Sequence, residues 1–216
     1  MPRTASYSLS MAVLLAVSLS GAMGADPSIT IVTLGDSYIN GHGISDPADR
    51  FSAKVSAGLL AHGHDVVFQD VGFTNMSSDA LRWLQSPAGQ QLLANPAHHV
   101  LILETAQNDC RLLKLDASKA NLDQILAALS SADIPVLIVG TVAYDFCGAD
   151  YVAVYPTIFA DLATKYGELL YPDFKAGIEG RHDLLGYDYD HANAAGEAII
   201  AANILPSVEA LIAGAR

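Results

Sequence analysis

Apolar strand patterns alternate with helical ones along this chain, and the alternation predicts an α/β fold: a three-layer α/β/α sandwich around a central parallel sheet of about five strands. Two further observations point the same way. Ile29 to Leu34 consists of β-branched residues and one leucine, the composition of a strand covered on both faces. The polar residues able to carry chemistry fall in the stretches after strands, where open α/β sheets hold their ligands. With 216 residues the chain suffices for one such domain with a substantial core.

The N-terminus reads as a secretory signal over residues 1–25, ahead of a single domain over 26–216. Arg3 supplies a positive start, Met11 to Leu19 an apolar core, and Ser20, Gly21, Ala22, Gly24 and Ala25 small residues for cleavage. The apolar run is too short to span a bilayer well, and no cysteine follows for a lipid anchor. An exported protein without stable membrane insertion is therefore expected, periplasmic or secreted.

The first strand is read at Ile29 to Leu34 and ends at Gly35-Asp36-Ser37, where glycine permits a sharp turn. Phe51 to Ala61 has apolar residues at helical spacing, with Gly63 as its C-cap. Asp65 to Gln69 is the second strand, Asp70 to Ser78 a loop, and Asp79 to Gln85 a short helix. His99 to Glu104 is the third strand, built on Val100 to Leu103. Ser118 to Ser131 is an amphipathic helix with Leu122, Ile125, Leu126 and Leu129 on one face. Pro135 to Gly140 is the fourth strand, and Tyr151 to Tyr166 a helix interrupted at Pro156. A short strand at Leu169 to Tyr171, a loop from Gly177 to Asp190, and a last helix over Ala194 to Ile212, bent near Pro206, complete the chain.

Charge narrows the partners. Lys and Arg total 11 against 23 Asp and Glu, a formal net charge of −12, with no basic run. That balance argues against nucleic acid and against electrostatic binding to an anionic membrane. His62 with His64, and His98 with His99, lack a carboxylate or thiol at metal-ligand spacing, so no metal is expected, and no phosphate-binding glycine loop is present. Cys110 and Cys147 are the only cysteines; in an exported protein an even pair suggests a disulfide, the alternative being two small buried hydrophobes. A bridge closing about 36 residues would contribute roughly 3–4 kcal/mol in the chain-entropy account.

Three stretches could carry chemistry. Ser37, at the carboxyl end of the first strand, is placed as a nucleophile, or else as the N-cap of a following helix. Asp188 and His191, three residues apart before the last helix, can pair so that the acid fixes the imidazole tautomer; Asp188 and Asp190 could instead cap that helix. Asn108, after the third strand, can donate its side-chain amide to a developing oxyanion, or serve as a turn residue. Backbone N–H groups at Ser37 and in Gly72-Phe-Thr-Asn-Met-Ser77 could join it. Tyr144, Phe146, Tyr151 and Phe159 are candidates to line an acyl or aryl pocket, with core packing the competing role for Phe159.

Taken together, Leu34-Gly-Asp-Ser37, Asn108-Asp109 and Asp188-x-x-His191, in this order and at these places, resemble the motif blocks of the SGNH (GDSL) hydrolase family. Leu34 to Ile44, Gly63-His-Asp-Val66 and Asn193-Ala-Ala-Gly196 are most similar to its arylesterase and thioesterase I/lysophospholipase branch. The likeness runs from about Ile29 to Ile212. It implies a flavodoxin-like strand order, a serine esterase acting on carboxylic esters or thioesters of short- to medium-chain acyl or aryl type, a small-molecule substrate and no cofactor. Ser37 would be the nucleophile, His191 the general base, Asp188 its orienting acid, and Ser37 N–H and the Asn108 amide oxyanion donors. Asn75 falls where the family's oxyanion glycine belongs; in the alternative register Gly72 is the donor. Ala106 and Gln107 replace common glycines, and Ala192 a common proline. These departures leave room for a carbohydrate O-deacetylase of the same superfamily, or for a non-catalytic binding protein that keeps the fold.

Overall fold

The computed structural model describes residues 28–71 and 75–215. The expected signal segment and Gly72 lie outside the described residues. Strand β1 (Ile29–Gly35) pairs in parallel on one side with β2 (Val66–Val71) and on the other with β3 (His99–Glu104), followed outward by β4 (Val136–Val139) and β5 (Leu169–Tyr171). The order β2-β1-β3-β4-β5 is the flavodoxin-like one the sequence implied. Because the chain leaves β1 toward one edge and returns to the other side as β3, connections diverge above their carboxyl ends and leave a crevice there.

Period-two alternation divides the strands between two cores. Ile31, Val100, Ile102 and Leu137 face helices α1 (Phe51–Ala61) and α6 (Ala194–Gly214). Val32, Leu34, Leu101, Leu103 and Ile138 face α2 (Ser77–Gln85), α4 (Leu115–Ser131) and α5 (Ala149–Tyr166). Among the described residues α6 is the one helix long and apolar enough to cross a membrane, yet it lays Ile200, Ile204, Val208 and Leu211 into the core against α1.

Several boundaries move. Helix α3 (Pro87–Ala94) occupies a stretch with no expected element; Ser86 caps it, accepting from Gly89 N–H at 3.4 Å, with Pro87 in the first turn. Helix α5 runs unbroken through Pro156, which faces solvent while Tyr155, Phe159 and Leu162 bury the opposite side; packing of that face outweighs the lost backbone bond. Helix α6 likewise continues through Pro206 to Gly214. Strand β2 shifts to Val66–Val71, α2 begins at Ser77, and α4 begins at Leu115.

Candidate active site

Ser37 leaves the sheet directly at the end of β1. Gly35 sits opposite Glu104 of β3, and a β-carbon there would lie 2.5 Å from the Glu104 carbonyl oxygen and collide with Ile39. Close approach, rather than the turn expected from the sequence, is what demands glycine at this position. The following residues form a tight turn instead of a helix: Asn40 N–H donates to Asp36 O at 3.1 Å and His42 N–H to Ser37 O at 3.0 Å. Ser37 therefore caps no helix. The fully buried Asp36 folds its carboxylate back to accept from Tyr38 N–H at 3.1 Å, fixing the turn that presents the serine.

His191 reaches Ser37 from the loop before α6. Its Nε2 is 2.7 Å from Ser37 Oγ, and its Nδ1 is 2.7 Å from Asp188 Oδ2. Asp188 Oδ1 also accepts from the N–H groups of Asp190 and His191, each at 3.1 Å. With the ring proton on Nδ1 facing the carboxylate, the Nε2 lone pair faces the serine hydroxyl. Burial works to raise the Asp188 carboxyl, but the two N–H groups and the imidazole outweigh it and bring it down to about 2. The loop is closed by Gly186 N–H to His191 O at 2.7 Å and Asn193 N–H to Leu184 O at 2.9 Å, and Tyr189 turns the chain at φ 57°. Asn193, not Asp188 or Asp190, caps α6, accepting from Ala195 and Gly196 N–H at 3.0 and 3.1 Å.

Asp190 ties the histidine loop down. It accepts from Tyr38 Oη at 2.9 Å, Tyr144 Oη at 2.8 Å and the buried Lys175 Nζ at 2.8 Å. The Tyr38 ring also lies 4.7 Å from that of His191, centroid to centroid. Lys175 went unnoticed in the sequence; a lone lysine in a stretch of acids and glycines was its only signal.

Asn108 borders the same crevice. Its Nδ2 donates to Asp36 Oδ2 at 3.5 Å, and its Oδ1 accepts from Arg111 Nε at 3.2 Å. An amide has two N–H groups, so one remains for a ligand. Ala106 is buried at φ 87°, a left-handed conformation that favours glycine and is uncommon for alanine. Asn75 is exposed at the start of the segment leading to α2. Asp109 joins that segment to the Asn108 loop: it accepts from Ser77 N–H at 2.8 Å and Ser77 Oγ at 2.5 Å, serving as the missing cap of α2, while Asn121 Nδ2 donates to Ser77 Oγ at 3.0 Å.

Beneath the serine lies a buried pair of acids. Asp36 N–H donates to Glu104 Oε2 at 3.3 Å, and both side chains are shut off from solvent. Burial raises the Asp36 carboxyl to about 7 against the opposing pull of the Tyr38 and Glu104 hydrogen bonds. Burial, then the charge of Asp36, lifts Glu104 well above the usual carboxylate range. The sequence signal for Glu104 was an acid ending an otherwise apolar strand.

Cys110 and Cys147 are disulfide-bonded, as expected, with Cα atoms 5.5 Å apart. The bridge fastens the loop after β3 to the loop after β4, beside Tyr144 and Phe146. These two rings stack at 5.0 Å, and the Arg111 guanidinium lies 4.8 Å from the Phe146 centroid. Of the proposed pocket residues these two reach the crevice side. Phe159 is core, and Tyr151 packs against that core with its hydroxyl 3.3 Å from Ser118 Oγ.

The arrangement offers an activated hydroxyl, a base with an orienting acid, and an amide donor on the other side of the serine turn. No family model matches the chain, and no curated protein matches it. Solved structures do. AlinE4, described as an SGNH-hydrolase family esterase, is 28% identical with a TM-score of 0.68, over 86% of this chain and 97% of its own. TesA matches at 21% identity and TM-score 0.75, over 84% and 99%. The psychrotrophic esterase EstA from Pseudoalteromonas sp. matches at 19% and 0.76, over 85% and 98%.

Proposed function

The chain belongs to the SGNH hydrolase family, and from that premise we propose that it is a serine esterase acting on small carboxylic esters or thioesters. The observation that carries this reading is the unbroken chain from Ser37 Oγ through His191 to Asp188, with both links at 2.7 Å. In the proposed reaction Ser37 Oγ attacks the acyl carbon while His191 Nε2 takes its proton. Asp188, held ionised, stabilises the resulting imidazolium. The oxyanion is received by Ser37 N–H, the free N–H of the Asn108 amide, and the N–H of Asn75, with Gly72 as its alternative. His191 returns the proton to the leaving group, then activates water to release the acid from Ser37.

The open aromatic side at Tyr144 and Phe146 favours short- to medium-chain acyl or aryl esters. The disulfide and the apolar N-terminal segment support an exported protein.

The test is turnover of p-nitrophenyl esters of graded chain length by the protein and by Ser37→Ala. Hydrolysis lost by at least about 10⁴-fold in the variant is expected. Absence of turnover together with no labelling of Ser37 by a serine-directed phosphonate would overturn the esterase reading and leave a binding role. A strong preference for acetylated sugars would move the substrate class to carbohydrate O-acetyl esters.

A further inference from the structure

A second imidazole stands beside the Asp188–His191 pair and has no part in the hydrolytic steps. His42 comes from the turn that follows Ser37, with Gly41 and Gly43 at φ 68° and 81° on either side. Its Nε2 lies 3.0 Å from the Tyr187 hydroxyl and 3.7 Å from Asp188 Oδ2. Its ring centroid is 4.5 Å from that of His191. One donor atom from each of His42, Asp188 and His191 falls within 4.8 Å of the other two.

Two imidazoles and one carboxylate make up a familiar three-ligand set for Zn²⁺, with water completing a tetrahedron. Metal–ligand bonds of about 2.0–2.2 Å place neighbouring donors roughly 3.3–3.5 Å apart in that geometry. The His42 to Asp188 separation is already close to this, and the tighter Asp188 to His191 contact needs to open by less than an ångström. The site faces solvent: the His42 side chain is 45% exposed and that of Asp188 26%. Tyr187, also exposed, can release His42 without disturbing the core. A formal net charge of −12 favours arrival of a cation.

We propose that His42, Asp188 and His191 bind a divalent transition-metal ion of the zinc type, and that the bound ion reversibly switches the hydrolase off. The binding half stands on the donor geometry; the inhibitory half rests on the esterase reading above. The chemistry balances without an oxidant or reductant. The ion exchanges bound water for His42 Nε2, an Asp188 oxygen and His191 Nδ1. His191 stays neutral, so its ring proton moves through solvent from Nδ1 to Nε2 as the metal takes the Nδ1 lone pair. With Nε2 now protonated the ring donates to Ser37 Oγ and has no lone pair to accept its proton. The carboxylate that would have stabilised an imidazolium is occupied by the ion.

The experiment pairs zinc titration calorimetry with ester turnover in zinc, each variant referred to its own zinc-free rate. Four proteins are compared: the wild type, His42→Ala, Ser37→Ala, and a His62→Ala/His64→Ala double variant that removes the two imidazoles at Glu209. Saturable inhibition, reversed by EDTA, is expected in the wild type and the double variant. His42→Ala should need at least tenfold more zinc for the same inhibition and show a matching loss of binding. Ser37→Ala, although inactive, should bind zinc as the wild type does. Equal zinc sensitivity of His42→Ala and wild type would overturn the site, as would binding that disappears only in the double variant. A wild type that binds zinc through His42 yet hydrolyses no ester would remove the inhibitory half and the esterase reading while the metal site stands.

Discussion

The two sides of the crevice are oriented by different means. On the histidine side the base is aimed by neighbours in the chain, even though Asp190 anchors the loop to Tyr38 and Tyr144 across 152 and 46 positions: Asp188 meets His191 three residues away, and its other oxygen accepts N–H groups two and three residues away. On the serine and asparagine side the contacts join residues far apart. Asp36 meets Glu104 across 68 positions, Asn108 meets Asp36 across 72, and Ser77 meets Asp109 across 32, nearly all in the buried interior. A solvent-facing loop with local hydrogen bonds can orient a base with ordinary side chains. The serine and asparagine side draws on the ends of two strands and a helix, and it puts acids where water cannot reach.

Breaking the local side should have the larger effect. Asp188→Asn keeps the shape but offers Nδ1 an N–H, which drives the ring proton to Nε2 and removes the lone pair facing Ser37. A fall in kcat/KM of about 10³–10⁴-fold on a p-nitrophenyl ester is expected, with an unchanged circular dichroism spectrum. A loss below tenfold would mean that Asp188 does not orient His191.

That contrast also sets what could be read from the chain. The Asp188–His191 pair was legible because it is a spacing, and Ser37 because a β-branched strand running into Gly-Asp-Ser leads to the switch point of a parallel sheet. The parallel sheet and α1 followed from periodicity, and the strand order from the family resemblance. Helix α3 was missed because eight residues carry too short a period, and Pro156 was read as an interruption because its cost is local while the packing that overrides it is not. Asp36, Glu104, Asp190 and Lys175 leave at most a faint mark in one dimension, such as the acid that ends an apolar strand at Glu104; their roles arise only when β1, β3 and the last loops converge. The alanine at position 106 was visible, but not its φ of 87°.

On the long-range side, in the proposed mechanism, Asn108→Ala removes one oxyanion donor and leaves the backbone donors in place. A decrease in kcat of about 10²–10³-fold with little change in KM is expected, smaller than for Asp188→Asn. Asn75→Ala keeps its peptide N–H and should cost less than tenfold in the same assay. A larger loss in Asn75→Ala than in Asn108→Ala would reverse the donor assignment and give the Asn75 side chain the leading part.

The smallest effect should come from the acids beneath the serine, and it should appear in stability rather than rate. Asp36 titrates near 7 and Glu104 well above the usual range, whereas in the unfolded chain both release their protons near pH 4. Above pH 4 the folded state therefore binds more protons than the unfolded one, so stability falls as pH rises from about 4 toward 7. Glu197, raised to about 7 by burial in α6, adds in the same direction. Asp188 has the opposite sign: its folded value near 2 contributes stability above pH 4 that is lost as pH falls toward 2. Glu104→Gln fills the same space, cannot ionise, and offers Asp36 an N–H in place of a competing charge. The drop in Tm between pH 5 and 7 should shrink by a few degrees, on the order of 1–2 kcal/mol, relative to wild type. An unchanged slope would mean that the two buried carboxyls do not hold their protons at neutral pH, and that Asn108 faces a pair of charges rather than a largely neutral platform.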